Sequence, residues 1–463
     1  MEYPLRRMTP PGPWRPDSWR EREAQQQPKY PDPAALKKAL ADVTKLPPIV
    51  MSWEILELKR QLAEVARGER FLIQGGDCSE RFEECSAPRI YAKVRSLLQM
   101  SLVLLEASKM KVVRIGRIAG QYAKPRSSLT ETREGVTLAA YQGDLVNRPG
   151  FTEAERTPDP RNLVDGHQYS AATHNFIRGM IGGDFSNLDF PQYWNLEFAQ
   201  HSPHGARYLE VIRRIADSLH FMEASNGPLV GKMYKVDFFI SHEGLHLAYE
   251  QAMTMVPIGR PGWSNFGAHF LWIGDRTRKL DGAHVEYFRG LENPIGVKVG
   301  NSIKPDELVE LAGTLNPKNE PGKLTLIHRF GAGKIETALP PLIEAIKRSG
   351  HVVVWCCDPM HGNTTTTSSG MKTRSFEDIL DEARKAFQVH HDMGTFLGGV
   401  HFEMTGDDVT ECTGGARDLN EDDLKRAYVS LVDPRLNYEQ TLEMAFQVGE
   451  IMRSWGDKRR DWR

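Results

Sequence analysis

Hydrophobic and polar positions along this chain follow two periods, and the switching between them outlines an architecture. Short apolar or β-branched runs stand at 70–74 (RFLIQ), 111–115 (KVVRI), 236–240 (VDFFI), 269–273 (HFLWI), 295–298 (IGVK), 324–327 (LTLI), 352–355 (VVVW) and 399–402 (GVHF). Runs of this length and composition are the mark of buried strands. Most are separated by apolar residues at helical spacing, over 88–108, 305–315, 334–349, 375–391 and 438–455. Eight such strands alternating with helices predict a parallel sheet closed into a (β/α)8, or TIM, barrel.

Two stretches break the alternation. Residues 1–67 read as an N-terminal extension that wraps the barrel, with one short helix over 33–43 and a second over 52–67. Ser52 is the expected N-cap of that second helix, with Glu54 in its first turn. The barrel proper spans 68–463, and 128–235 is a helical insertion between the second and third barrel strands, far too long for one connecting helix. Helix-compatible material inside it lies at 171–180 and 205–224.

Charge and cysteine content narrow the function. Lys+Arg number 59 against Asp+Glu 61, a net charge of −2 over 463 residues, so neither nucleic acid nor an anionic membrane is an expected partner. No apolar run approaches the roughly 20 residues of a membrane span. The first residues (MEYPLRRMTPPGPWRP) lack the apolar segment and cleavage site of a secretory signal. Five scattered cysteines fit reduced thiols in a cytoplasmic enzyme better than a disulfide scaffold.

The stretch 355–374 (WCCDPMHGNTTTTSSGMKTR) follows a strand and is dense in chemistry. Taking all strand ends together gives Cys78, Arg117, His242 with Glu243, Asp275 with Arg276, Lys298, Arg329, His361 and Glu403. In a barrel these ends share one face, where active sites lie. Cys78, His361 and Glu403, with Asp433 of the DPRLN segment, form a Cys/His/Glu/Asp donor set suited to a divalent first-row metal ion. Taken singly, such a Cys is more often buried packing and such an Asp a helix cap. Arg117, Lys124, Arg126, Arg276, Lys298 and Arg329 also follow or end strands. Surface cations mean little, but many at one mouth imply a multiply anionic, phosphorylated substrate.

Two patterns are set aside. His242–His246 (HEGLH) matches the zinc-protease HExxH, yet it directly follows a strand, carries an internal glycine, and has no Glu over 251–285 as a downstream ligand. Gly331–Lys334 (GAGK) lacks the upstream glycine of a P-loop and has Ile335 in place of Ser/Thr.

The motifs GGDC (75–78), GRIAGQYAKPRS (116–127), RTRKLDGAHVE (276–286), DPMHGN (358–363), KTR (372–374), VTEC (409–412) and DPRLN (433–437) resemble class II, plant-type 3-deoxy-D-arabino-heptulosonate 7-phosphate (DAHP) synthases, as does QQPKYPD (26–32). The resemblance runs over nearly the whole chain. It implies a (β/α)8 barrel with an N-terminal extension and extra helices after the second strand. It also implies condensation of phosphoenolpyruvate (PEP) with erythrose 4-phosphate and water to DAHP and phosphate, the first step of the shikimate pathway to aromatic amino acids.

By the same resemblance Cys78, His361, Glu403 and Asp433 match the metal ligands, with Mn2+ foremost and Co2+, Fe2+ or Zn2+ as alternatives. Arg117, Arg276, Lys298 and Arg329 match the PEP site. Lys124, Arg126 and Ser127 match the erythrose 4-phosphate site, and Lys372 reaches the same mouth. Lys298 and Asp275 match the groups around the water that attacks PEP, and a homodimer or homotetramer is implied. Asp275 stands where the family usually has Glu, Ser79 where it commonly has Ala, His246 where it has an apolar residue, and Val432 where it often has Cys. Arg329 is followed by FGAG instead of a Met-Gly segment. Alternatives are a synthase of the same family serving a specialised pathway or a related aldose phosphate, and a non-catalytic regulatory paralogue.

Overall fold

The computed structural model describes residues 14–182, 194–226, 237–257, 259 and 261–460. Most of the N-terminal stretch weighed as a signal, and Val236 of the third expected strand, lie outside these residues. Eight parallel strands close into a barrel: β1 (Arg70–Gly76), β2 (Lys111–Arg117), β3 (Phe239–Glu243), β4 (Phe270–Ile273), β5 (Ile295–Val299), β6 (Leu324–His328), β7 (Val354–Cys357) and β8 (Leu397–Glu403), with β8 returning to β1. Several strands run one to three residues past the apolar stretch that predicts them, and those extra residues carry Arg117, Glu243 and Glu403.

The extension contributes α1 (Pro33–Lys45) and α2 (Ser52–Ala66). Leu58, Leu62 and Val65 of α2 are wholly buried against Leu72, Val113, Phe270 and Val354 of the strands, so this helix plugs one end of the barrel. Each such leucine contributes roughly 1.5–3 kcal/mol by leaving water. Met51, not Ser52, is the N-cap residue; its N–H donates to the Glu54 carboxylate at 2.7 Å, which satisfies a donor the helix leaves free.

After α3 (Ala87–Ser108) and β2, the insertion holds a hairpin (Thr130–Arg133 with Val136–Ala139), α4 (Arg161–Gly182) and α5 (Gly205–Asn226). The helices α6 (Pro305–Leu315), α7 (Ile335–Ser349), α8 (Phe376–Asp392) and α9 (Tyr438–Arg460) complete the outer ring. Among the described residues no helix is long and apolar enough to cross a membrane.

Side chains of a strand alternate between faces. Leu72 and Val113 meet the plug, and two residues further on Gln74 and Ile115 face the same interior. Above them the lining turns polar. Gln74 Nε2 donates to Ser241 Oγ at 3.1 Å, and Gln74 Oε1 contacts His401 Nδ1 at 2.8 Å. Arg117 Nη1 lies 2.6 Å from His401 Nε2, beneath the charged mouth.

Candidate active site

The GGDC turn ends β1. Gly76 sits at φ +145°, and a Cβ there would stand 2.5 Å from the Arg117 carbonyl oxygen, so only glycine lets β1 and β2 approach so closely. Cys78 follows, 1% exposed. Its sulfur lies 3.6 Å from Asp433 Oδ2, and the donor atoms of Cys78, Glu403 and Asp433 fall within 4.8 Å of one another. Burial pushes the Cys78 thiol up to about 12, with the nearby Glu403 charge adding to the effect.

The Lys124 ammonium lies at the centre of this set, 2.9 Å from Cys78 Sγ, 3.3 Å from Glu403 Oε1 and 3.0 Å from Asp433 Oδ2. A cation therefore already stands among the donors, which is where a metal ion would have to be held. His361 Nε2 reaches Glu403 Oε1 at 3.0 Å, while its Nδ1 meets Asp358 Oδ2 at 2.7 Å. With Nδ1 donating to Asp358, the Nε2 lone pair faces the carboxylate, an arrangement that calls for a proton or a metal ion between them. Soft thiolate, imidazole and two carboxylates fit a first-row divalent ion.

The Glu403 anion is held from several sides. Arg117 Nη2 donates to Oε1 at 3.0 Å and Arg374 Nη1 to Oε2 at 2.7 Å. Burial raises its pKa, but His361, Lys124, Arg374 and Arg117 outweigh that and keep it well below the usual carboxylate range. Asp358 behaves alike: burial is overcome by His361 and Lys298, and the carboxyl stays ionised. Lys298 donates to Asp358 Oδ2, yet burial still leaves its amine below the ordinary lysine value.

A cavity of about 430 Å³ opens over these groups, lined by Arg117, Lys124, Arg126, Ser127, Arg276 and Lys298, and by Glu243, Asp275, Arg329, His361, Lys372 and Asp433. Arg276 Nη2 donates to Ser127 Oγ at 2.9 Å, which joins the β4 end to the KPRS segment. Arg329 Nη1 donates to Asp275 Oδ2 at 3.1 Å and Nη2 to the His361 carbonyl at 2.8 Å. Trp272 supplies an aromatic face 5.1 Å from the Arg117 guanidinium. A cavity of this size with so many converging cations suits small, multiply anionic ligands.

Residues 14–449 match the Class-II DAHP synthetase family. The chain belongs to that family. It is 48% identical to the phospho-2-dehydro-3-deoxyheptonate aldolase of Neurospora crassa over 95% of this chain and 94% of that protein. The aldolase of the same name from Streptomyces coelicolor is 47% identical, covering 94% and 97% of the two chains. That of Mycolicibacterium smegmatis is 45% identical, covering 94% of each. Among solved structures, the DAHP synthase of Thermotoga maritima aligns with 84% of this chain and 70% of its own at 13% identity, with a TM-score of 0.35. That likeness is too distant to carry an argument.

Within this class-II DAHP synthetase, the strand-end residues singled out in the sequence come together at one mouth, but some stand differently from expectation. Lys124, expected at the sugar phosphate, has its ammonium among the metal donors. Arg374 of the KTR motif is wholly buried and binds Glu403, the Pro434 carbonyl and Thr364 Oγ1. Lys372 does reach the mouth, 2.9 Å from Asp433 Oδ1. Within the TTTTSS run (364–369), Thr365 and Thr366 pair antiparallel with Thr373 and Lys372. His242 and His246 diverge, His242 meeting Glu250 at 2.9 Å and His246 meeting Tyr30 at 2.8 Å.

Sequence reasoning passed over two groups. His401 sits between Gln74 and Arg117, where its place two residues before Glu403 on one strand face was the available signal. Arg435 binds both Asp77 (2.7 Å) and Glu411 (2.9 Å), which fastens the DPRLN segment to the GGDC turn.

Proposed function

We propose that the protein is a metal-dependent DAHP synthase, condensing PEP with erythrose 4-phosphate and water to DAHP and inorganic phosphate. The observation that carries this reading is the convergence of Cys78, Glu403 and Asp433 on a cation position, with His361 on the Glu403 carboxylate, beside a cavity walled by Arg117, Arg276, Lys298 and Arg329. The chemistry a divalent ion supplies at such a set is Lewis-acid polarisation of the aldehyde oxygen. Cys78, His361, Glu403 and Asp433 would hold such an ion, at the position beside which the Lys124 ammonium stands.

The chain's own groups do the rest. Arg117, Arg276, Lys298 and Arg329 grip the carboxylate and phosphate of PEP, the arginines as planar forks. Lys124, Arg126, Ser127 and Lys372 take the phosphate end of the sugar, which aims its aldehyde at the PEP methylene. Fixing both substrates in one orientation removes much of the entropic barrier. The buried Lys298 faces the same space and, with a neighbouring carboxylate, handles the attacking water. The five free cysteines support a cytosolic setting.

The test is phosphate release from PEP plus erythrose 4-phosphate before and after exhaustive chelation. Release that vanishes with chelation and returns with Mn2+, Co2+, Fe2+ or Zn2+ is the expected result. Undiminished release after chelation overturns the metal, and no release with both substrates and metal present overturns the activity.

A further inference from the structure

Four carboxylate side chains line the cavity: Glu131, Glu243, Asp275 and Asp433. Three are committed to protein partners. Glu131 is paired with Arg133 at 2.5 Å and Arg156 at 2.8 Å. Asp433 is divided between Lys372 and Lys124. Asp275 has both oxygens engaged: Oδ1 accepts from Arg278 Nε at 3.0 Å and Gly300 N at 3.2 Å, and Oδ2 accepts from Arg329 at 3.1 Å. One methylene shorter than Glu, it is drawn into the wall as an anchor for two arginines.

Glu243 differs. It is the last residue of β3, two positions beyond the inward-facing Ser241, so its side chain turns into the barrel mouth. Its Oε1 is buried and has no hydrogen-bond partner among the described residues. The carboxyl packs over Gly274, where an added Cβ would stand 2.1 Å from Oε1. A buried acceptor without a donor is costly, and at functional sites it marks a missing water or ligand.

We infer that Glu243, and not Asp275, is the carboxylate that holds the attacking water and accepts its proton in the condensation. This rests on the DAHP synthase reading. As the PEP double bond supplies electrons to the new C–C bond, C2 becomes electron-poor, and the water's lone pair forms the C2–O bond. One water proton passes to Glu243 and on to the aldehyde oxygen, which took up its C=O π pair as the C–C bond formed and so becomes a hydroxyl, leaving Glu243 a carboxylate again. The C2–O bond to phosphate then breaks with its electron pair on the phosphate, and the remaining hydroxyl proton follows to the phosphate as the ketone forms. Burial raises the Glu243 carboxyl above its ordinary value, against the pull of Lys124, Arg117, Lys298 and His361, which makes it a better proton acceptor than a solvated glutamate.

The experiment compares metal-loaded wild type with Glu243→Gln, Asp275→Asn and Gly274→Ala, measuring kcat and the KM for PEP by phosphate release. Glu243→Gln is expected to lose roughly 100-fold or more in kcat, with the KM for PEP within about threefold. Asp275→Asn is expected to act chiefly on the KM, by freeing Arg329. Gly274→Ala keeps every acid but displaces the Glu243 carboxyl, and is expected to reproduce the kcat loss, which covers the case of a poorly folded Glu243→Gln. Glu243→Asp is expected to recover part of that loss. Near-normal kcat in Glu243→Gln, or a kcat collapse confined to Asp275→Asn, overturns the assignment. A wild type inactive on both substrates instead overturns the activity itself, and is seen before any variant is compared.

Discussion

Asp358 and His361 are joined by a 2.7 Å contact between Oδ2 and Nδ1, and the same carboxylate oxygen receives the Lys298 ammonium. One buried anion therefore orients a proposed metal ligand and a proposed PEP ligand together. Asp358→Asn removes the charge and weakens both. A metal affinity lower by about 10–100-fold is expected, together with a raised KM for PEP. Competition with a fluorescent chelator measures the first, and an affinity within twofold of wild type would contradict the coupling.

Arg374 is 0% exposed and neutralises Glu403 from behind the donor set. Arg374→Ala leaves a buried carboxylate short of its partner, and a loss of about 3–5 kcal/mol in unfolding free energy is expected. Arg374→Lys retains the charge without the fork and falls between the two. Urea denaturation of the three proteins is the measurement; an unshifted alanine midpoint contradicts this.

His328 is fully buried, with neither ring nitrogen hydrogen-bonded among the described residues, stacked on Phe330 and near Trp355 and His390. Burial holds its pKa down to about 3, with Asp358 pulling weakly the other way. The folded state thus keeps the ring neutral where the unfolded chain, with a pKa near 6.5, binds a proton. Stability is unaffected by this group above that unfolded value and falls as pH drops from about 6.5 towards 3. His328→Phe abolishes the dependence, and its advantage over wild type is expected to grow by about 2 kcal/mol between pH 8 and pH 5. Thermal melts at the two pH values test this; equal gaps would contradict it.

Leu62, in the helix that plugs the far end of the barrel, is 0% exposed. Leu62→Ala is expected to cost about 2–5 kcal/mol of stability through the cavity it leaves. Because it packs away from the mouth, kcat and metal affinity at a permissive temperature are expected to stay near wild type. Denaturation and steady-state kinetics on one preparation separate the two effects.

The barrel was legible because its buried strands are continuous apolar runs, and the mouth because strand ends must converge. What local pattern could not supply was direction and partnership. Lys372 opens a hairpin strand and Arg374 directly follows it, yet Arg374 is buried on Glu403 and Lys372 reaches Asp433. Lys124 reads as one more cation after a strand, until Cys78, Glu403 and Asp433 are brought round it from distant parts of the chain. Glu243 was visible only as the neighbour of His242. Its open oxygen emerges once Asp275 is seen to be taken up by Arg278 and Arg329.

The small hairpin after His361 fixes length where it leaves composition free. Thr366 pairs with Lys372 and Thr365 with Thr373, across a turn closed by Thr367 and Gly370. Substituting one hydroxyl residue of the TTTTSS run for another changes little in this ladder. Adding or deleting one residue slips the register, exchanging the exposed Lys372 with the buried Thr373. It also draws Arg374 off Glu403. A run that looks like drifting low-complexity sequence is thus a ruler, tolerant of spelling and intolerant of count.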